Sequence, residues 1–163
     1  MMSSINRPLP TTESAADAAN LFASTFEQSA VGIAHVAPDG SWIRINQRLC
    51  DILGYNVEEL LGRSFQDVTY PADLSADLNY VHQMLAGEIT TYSMHKRYLR
   101  KNGAVIWAKL TVSLVHDDAG QPTYFVSVIE DLTALRQIEQ ELRQSKDRYQ
   151  QIVHLAQKGI WLM

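Results

Sequence analysis

The 163-residue sequence holds a single cysteine, Cys50, which excludes an internal disulfide and any cysteine-based structural metal site and agrees with a reducing compartment. It has no apolar run approaching the ~20 residues of a bilayer crossing. Its first twenty residues are rich in Ser, Thr and Ala and lack the charged opening and apolar middle of a signal peptide, so the expected location is the cytoplasm. Basic residues are in the minority, 14 Lys and Arg against 18 Asp and Glu, for a formal net charge of −4. Nonspecific nucleic-acid binding relies on a basic face that neutralises phosphates, and this balance argues against such a partner.

Groupings that would carry catalysis are scarce as well. The five histidines, His35, His82, His95, His116 and His154, include no pair at the i, i+4 spacing of a helical metal motif. Ser64 and Ser75 stand in no nucleophile-elbow context, and no glycine-rich phosphate loop follows a strand. The expectation is a non-catalytic segment with no metal site.

What is present is the composition of an ordinary globule, 46% hydrophobic and 20% charged, with a core to bury. Residues 1–12, with Pro8 and Pro10 and no apolar period, are expected to be a flexible leader. Residues 13–29 are alanine-rich, with acidic Glu13 in the first turn, and predict an amphipathic helix with Leu21, Phe22 and Phe26 on one face. Strands are expected over 31–37 and 41–46, joined at Pro38-Asp39-Gly40, with Ile43 and Ile45 alternating against Trp42 and Arg44. Short helical pieces over 47–73 are punctuated by Gly54, Gly62 and Pro71. A longer helix over 75–86 repeats Leu78, Val81, Met84 and Leu85 and stops at Gly87.

The second half reads as strand. Residues 90–101 and 104–115 flank Asn102-Gly103, a strong hairpin signal, and a fifth strand covers 123–130. The class is therefore α+β. Leu135, Ile138, Leu142, Tyr149 and Ile152 then form a heptad seam interrupted at Ser145, which predicts a coiled-coil linker helix over 134–152. Residues 26–33 align with 153–160, pairing Gly32 with Gly159 and Ile33 with Ile160, so 153–163 is expected to begin a second, truncated copy of the same domain.

Several segments together resemble a known family. They are Phe26-Glu-Gln-Ser-Ala-Val-Gly-Ile-Ala, Pro38-Asp-Gly-Ser-Trp-Ile-Arg-Ile-Asn46, Leu53-Gly-Tyr-Asn-Val-Glu-Glu-Leu-Leu-Gly62 and Tyr70-Pro-Ala-Asp-Leu74, followed by Lys96-Arg-Tyr-Leu-Arg-Lys-Asn-Gly103, Ile106-Trp107 and Asp131-Leu-Thr133. In this order they resemble the PAS domains, of the S-box type with a C-terminal PAC portion, over 22–133. The resemblance implies a five-stranded antiparallel sheet with short helices on one face. It also implies a sensory and dimerising input module for signal transduction, passing a signal through a helix to an effector domain in cis. That effector would be a cyclic-dinucleotide enzyme of cyclic-di-GMP signalling or a two-component histidine kinase.

Family members include flavin and haem binders. In Gly62-Arg-Ser-Phe65, Phe65 stands where the flavin photoreceptors carry their reactive cysteine, so thiol-adduct chemistry is not expected, and Cys50 reads as a packing residue. The nearest alignment for an axial haem histidine falls on Leu78, with His82 one turn later as the only candidate ligand. The favoured expectation is no cofactor and a small or closed cavity. Its candidate lining is Cys50, Leu53, Leu78 and His82 from the helices and Tyr92, Met94, Leu110, Val112 and Phe125 from the sheet.

Strand alternation assigns Trp42, Trp107, Tyr124 and Val126 to the other face. Leu21, Phe22 and Phe26 of the first helix would cover it, from the same chain or from a partner in a homodimer. Signal transfer is assigned to Asp131 and Thr133 at the hinge and to Leu135, Ile138 and Leu142 in the linker. The rival readings are a constitutive, ligand-free interaction scaffold and a haem-binding redox or gas sensor.

Overall fold

Residues 12–159 are described by a computed structural model. All of the expected leader but Thr12 lies outside them, as do residues 160–163 of the expected second copy. Helix α1 (Thr12–Glu27) precedes the hairpin of β1 (Gly32–Val36) and β2 (Trp42–Ile45). Four helices follow: α2 (Gln47–Leu53), α3 (Val57–Leu61), α4 (Phe65–Val68) and α5 (Pro71–Leu85). Strands β3 (Thr91–Leu99), β4 (Val105–His116) and β5 (Pro122–Asp131) complete the core, and α6 (Thr133–Gln157) leaves it.

Each helix boundary has a local cause. Asn46 caps α2 by accepting from the Leu49 N–H, and Gly54 ends it in the left-handed region at φ 76°. Asn56 and Glu59 form a reciprocal capping box on α3. Pro71 opens α5 at a position where its missing N–H costs nothing. In the β1–β2 turn Gly40 has φ 97°, a left-handed conformation that favours glycine.

The sheet is wholly antiparallel, in the order β2-β1-β5-β4-β3. The last strand thus sits in the middle, and the two hairpins lie on either side of it. The short helices cover one face, where Leu49, Leu53, Leu60 and Val68 meet Ala34, Ala108 and Ile129 in a closed core. This is the expected α+β architecture, five antiparallel strands with flanking N- and C-terminal helices.

Strand β2 departs from simple alternation. Val36 pairs with Trp42 and His35 with Arg44, a bulge that inserts one extra residue. Trp42 is consequently in the core at 4% exposure and Ile43 is outside at 51%. The assignment of Trp42 to the outer face and of Ile43 to the covered face is corrected on that ground. Helix α5 is also phased differently from its Leu78 and Leu85 stripe: it buries Asp77, Val81 and Met84, and leaves Leu78 half-buried and His82 and Leu85 exposed. Among the described residues no helix is long and apolar enough to cross a membrane.

Candidate functional site

Between α5 and the sheet lies a cavity of about 20 Å³. Its apolar wall includes Val36, Val81, Leu110, Val112, Phe125 and Ile129. Its other wall is polar. Strand alternation along Tyr92, Lys96 and Tyr98 turns Lys96 inward, and α5 presents Asp77 to meet it. Lys96 Nζ donates to Asp77 Oδ2 at 2.5 Å and to Thr69 Oγ1 at 2.8 Å, with both charged side chains 1% exposed. Tyr92 Oη donates to Asp77 Oδ1 at 2.7 Å, and Thr69 Oγ1 donates onward to the Phe65 carbonyl at 2.7 Å.

Burial pushes the Lys96 ammonium below its ordinary range, and the Asp77 carboxylate opposes that push. Burial, followed by the Asp77 charge, drives the Tyr92 phenol upward, so Tyr92 remains a hydrogen-bond donor. The cationic head also lies 4.4 Å from the Tyr98 ring centroid and 5.3 Å from that of Phe65. A buried pair of this kind is held by geometry, since desolvation of two charges consumes much of their attraction.

Of the expected cavity residues, Tyr92, Leu110, Val112 and Phe125 line it. Cys50 and Leu53 are buried in the α2 region of the core instead, and burial raises the Cys50 thiol, consistent with packing. Leu78 and Met94 are half-buried outside the lining. His82, the candidate haem ligand, is exposed and does not line the cavity. Asp77 and Lys96 were absent from the sequence expectation; the alternation that placed Tyr92 and Met94 inward also places Lys96 there.

A second ion pair stands one turn along α5. Asp73 takes Arg97 at both carboxylate oxygens, with Nε to Oδ2 at 3.0 Å and Nη2 to Oδ1 at 2.7 Å. The same Oδ2 accepts the Arg97 backbone N–H at 2.8 Å. Arg97, chiefly by its hydrogen bonds, holds the Asp73 carboxyl below the usual range. Its guanidinium lies 4.1 Å from the Tyr70 ring centroid and 5.1 Å from that of Trp107. Arg136 of α6 approaches the Trp107 ring at 4.0 Å. Residues from α5, β3, β4 and α6 therefore form one continuous chain of contacts.

The helix junction is anchored beside it. Leu132 N–H donates to the Trp107 carbonyl at 2.9 Å and Thr133 N–H to Asp131 Oδ1 at 2.9 Å, so Asp131 supplies the acceptor and Thr133 is the first helical residue. Beyond this turn Leu135, Ile138, Leu142, Tyr149 and Ile152 are all exposed. On the outer face Phe26 is buried, Phe22 stacks on it at 6.0 Å, and Arg44 lies over both rings. His35 packs between Phe26 and Tyr124. Tyr124, Val126 and Trp107 are half-buried there and Leu21 is exposed.

A family model described as the PAS fold matches residues 42–129. The chain is 45% identical over 140 residues to "Probable diguanylate cyclase DgcE" of Escherichia coli (strain K12), covering 86% of this chain and 13% of the relative. It is 27% identical over 136 residues to "Sensor histidine kinase TmoS" of Ectopseudomonas mendocina, covering 83% of this chain and 14% of the relative. The chain thus spans only a small part of the length of these relatives. Among solved structures it resembles the PAS domain of a protein from Colwellia psychrerythraea, with TM-score 0.67 and 19% identity, over 72% of this chain and 99% of the other.

Proposed function

Because the chain belongs to the PAS family, a non-catalytic sensory fold, we propose that it is an input module that senses in its core and passes the signal through α6 to an effector domain in cis. The effector class is a diguanylate cyclase or a histidine kinase, on the analogy of the relatives. The module works as a homodimer, joined by α1, the outer sheet face and the α6 seam. The alignment of residues 26–33 with 153–160 supports a second copy of the domain beginning in the sequence at 153.

The observation that carries this reading is the contact chain Asp73–Arg97–Trp107–Arg136. It starts on α5, the helix whose Asp77 closes the cavity, and ends in the first turn of α6. A shift of α5 against the sheet alters the Asp73–Arg97 fork, and the stacked Trp107 transfers that change to Arg136.

Hydrogen exchange tests it. The side-chain bonds of Asp73 go to Arg97 and none of them reaches α6 among the described residues, so a change in α6 after a substitution there reports coupling through Arg97. Asp73→Ala is expected to accelerate amide exchange over 133–140 several-fold while β4 and β5 keep their protection. Unchanged exchange in α6 would favour the ligand-free scaffold.

A further inference from the structure

One of the residues that line the core cavity carries a donor that nothing satisfies among the described residues. Trp42 is buried and lines the cavity, yet its indole Nε1 has no hydrogen-bond partner among the described residues. Burying an N–H without an acceptor forfeits its hydration with no return, so such groups ordinarily face a partner. Lys96, also in the lining, makes two hydrogen bonds of the three that an ammonium can donate. Ser127 adds a hydroxyl to the lining. The lining is therefore rich in unspent donors.

Charge selects among the acceptors. Asp77 and Lys96 already cancel each other at contact distance, so a second charge brought into this dry space would have no counterion. The opposite wall, Val36, Val81, Leu110 and Ile129, asks for hydrocarbon. Size is limiting too. The cavity of about 20 Å³ exceeds the about 10–15 Å³ that one water requires, and leaves room for little more than a few atoms.

We propose that this cavity binds a small neutral molecule, of about three or four non-hydrogen atoms, whose oxygen accepts the Trp42 indole proton. Small amides, carbonyl compounds and alcohols belong to this class. The inference deepens the sensory reading by naming what the core takes, and rests on it only for the consequence in α6. A guest between α5 and the sheet presses on the helix that carries both Asp73 and Asp77. Three non-hydrogen atoms at the efficiency ceiling of small ligands correspond to a Kd of roughly 1 mM at best.

The test uses the ¹⁵N-labelled chain and follows the indole N–H signals of Trp42, Trp107 and Trp161. Formamide is the neutral guest, and formate is its charged isostere. The expected result is a saturable downfield shift confined to the Trp42 indole with formamide, with formate at least tenfold weaker. Trp42→Phe, read from the backbone amides of the lining residues Leu110, Val112 and Ile129 in the same spectra, should abolish the saturable shifts that formamide gives there in the unsubstituted chain. Val112→Ile, which fills the cavity and keeps the indole, should weaken it.

Absence of a saturable Trp42 shift in the unsubstituted chain, or equal binding of formate, overturns the proposal. So does a Trp42 indole in contact with a long-lived water that formamide fails to displace. These readouts are separate from α6: a Trp42 shift without altered exchange over 133–140 sinks the transmission reading and leaves the site standing.

Discussion

Lys96 is the residue on which the core is most exposed to failure. It is an ammonium at the centre of a hydrophobic layer, held by Asp77, Thr69 and two aromatic faces. Removing one partner of a buried pair strands the other, so Lys96→Met is expected to lower stability by about 3–5 kcal/mol. Adding Asp77→Asn removes the stranded charge and leaves an acceptor for Tyr92, so the double substitution should recover at least about 1 kcal/mol of that loss. Urea unfolding of the two variants and the parent chain measures both numbers. A loss below about 1 kcal/mol for Lys96→Met would mean that the charge finds water in the folded state. The inward phase of Lys96 was legible in the alternation of β3, whose Tyr92 and Tyr98 are apolar neighbours on the same side. Its partner was not, because the attraction between positions 77 and 96 exists only once α5 lies across the sheet.

At the scale of elements, Asn46 joins three of them. Its Oδ1 accepts from Ile33 N–H and Leu49 N–H, both at 3.0 Å, and its Nδ2 donates to the carbonyls of Phe26 at 2.8 Å and Val31 at 3.0 Å. All four side-chain valences are used, tying the end of α1 and the start of β1 to the N-terminus of α2. Asn46→Ala leaves those groups unpaired, several of them buried, and should cost roughly 3 kcal/mol or more. Its signature is local: exchange over 22–33 should rise before global unfolding. Uniform protection would show that α1 is held by Phe26 packing alone. The sequence reading placed Asn46 only at the end of the strand over 41–46, and its tie to α1 was not legible at all, since a cap motif specifies only the helix that begins at it. The bulge that turns Trp42 inward escaped for a related reason: it is defined by the pairing of β2 with β1.

At the scale of the whole molecule, both flanking helices present apolar side chains that the core does not cover. Helix α6 is 25 residues long, about 37 Å, and among the described residues none of it is buried. Most helical stability in proteins comes from packing an amphipathic face, and the exposed seam, with Leu142 at 69%, matches the pattern of a two-stranded coil. In the proposed dimer, Leu135→Asp combined with Leu142→Asp places like charges on the seam. It should give a monomer by sedimentation equilibrium, with the core's near-ultraviolet circular dichroism unchanged. A sedimentation mass equal to that of the parent chain would count against the coil. Helix α1 adds Leu21 and Phe22, both largely exposed, beside the half-buried Tyr124 and Val126.

Local chemistry alone determined the α+β class, the five strands, the turns at Gly40 and Asn102-Gly103, and the heptads of the last helix. Each of these depends on residues within one or two turns of each other, where propensity and period act directly. Tertiary structure decided which side chains share the core. It brought Asp73 to Arg97 and Asp77 to Lys96, across 24 and 19 residues of chain, turned Trp42 inward, and left His82 in solvent. Such placements depend on strand pairing and on the rotation of α5 against the sheet, where a change of one residue in phase exchanges inside for outside.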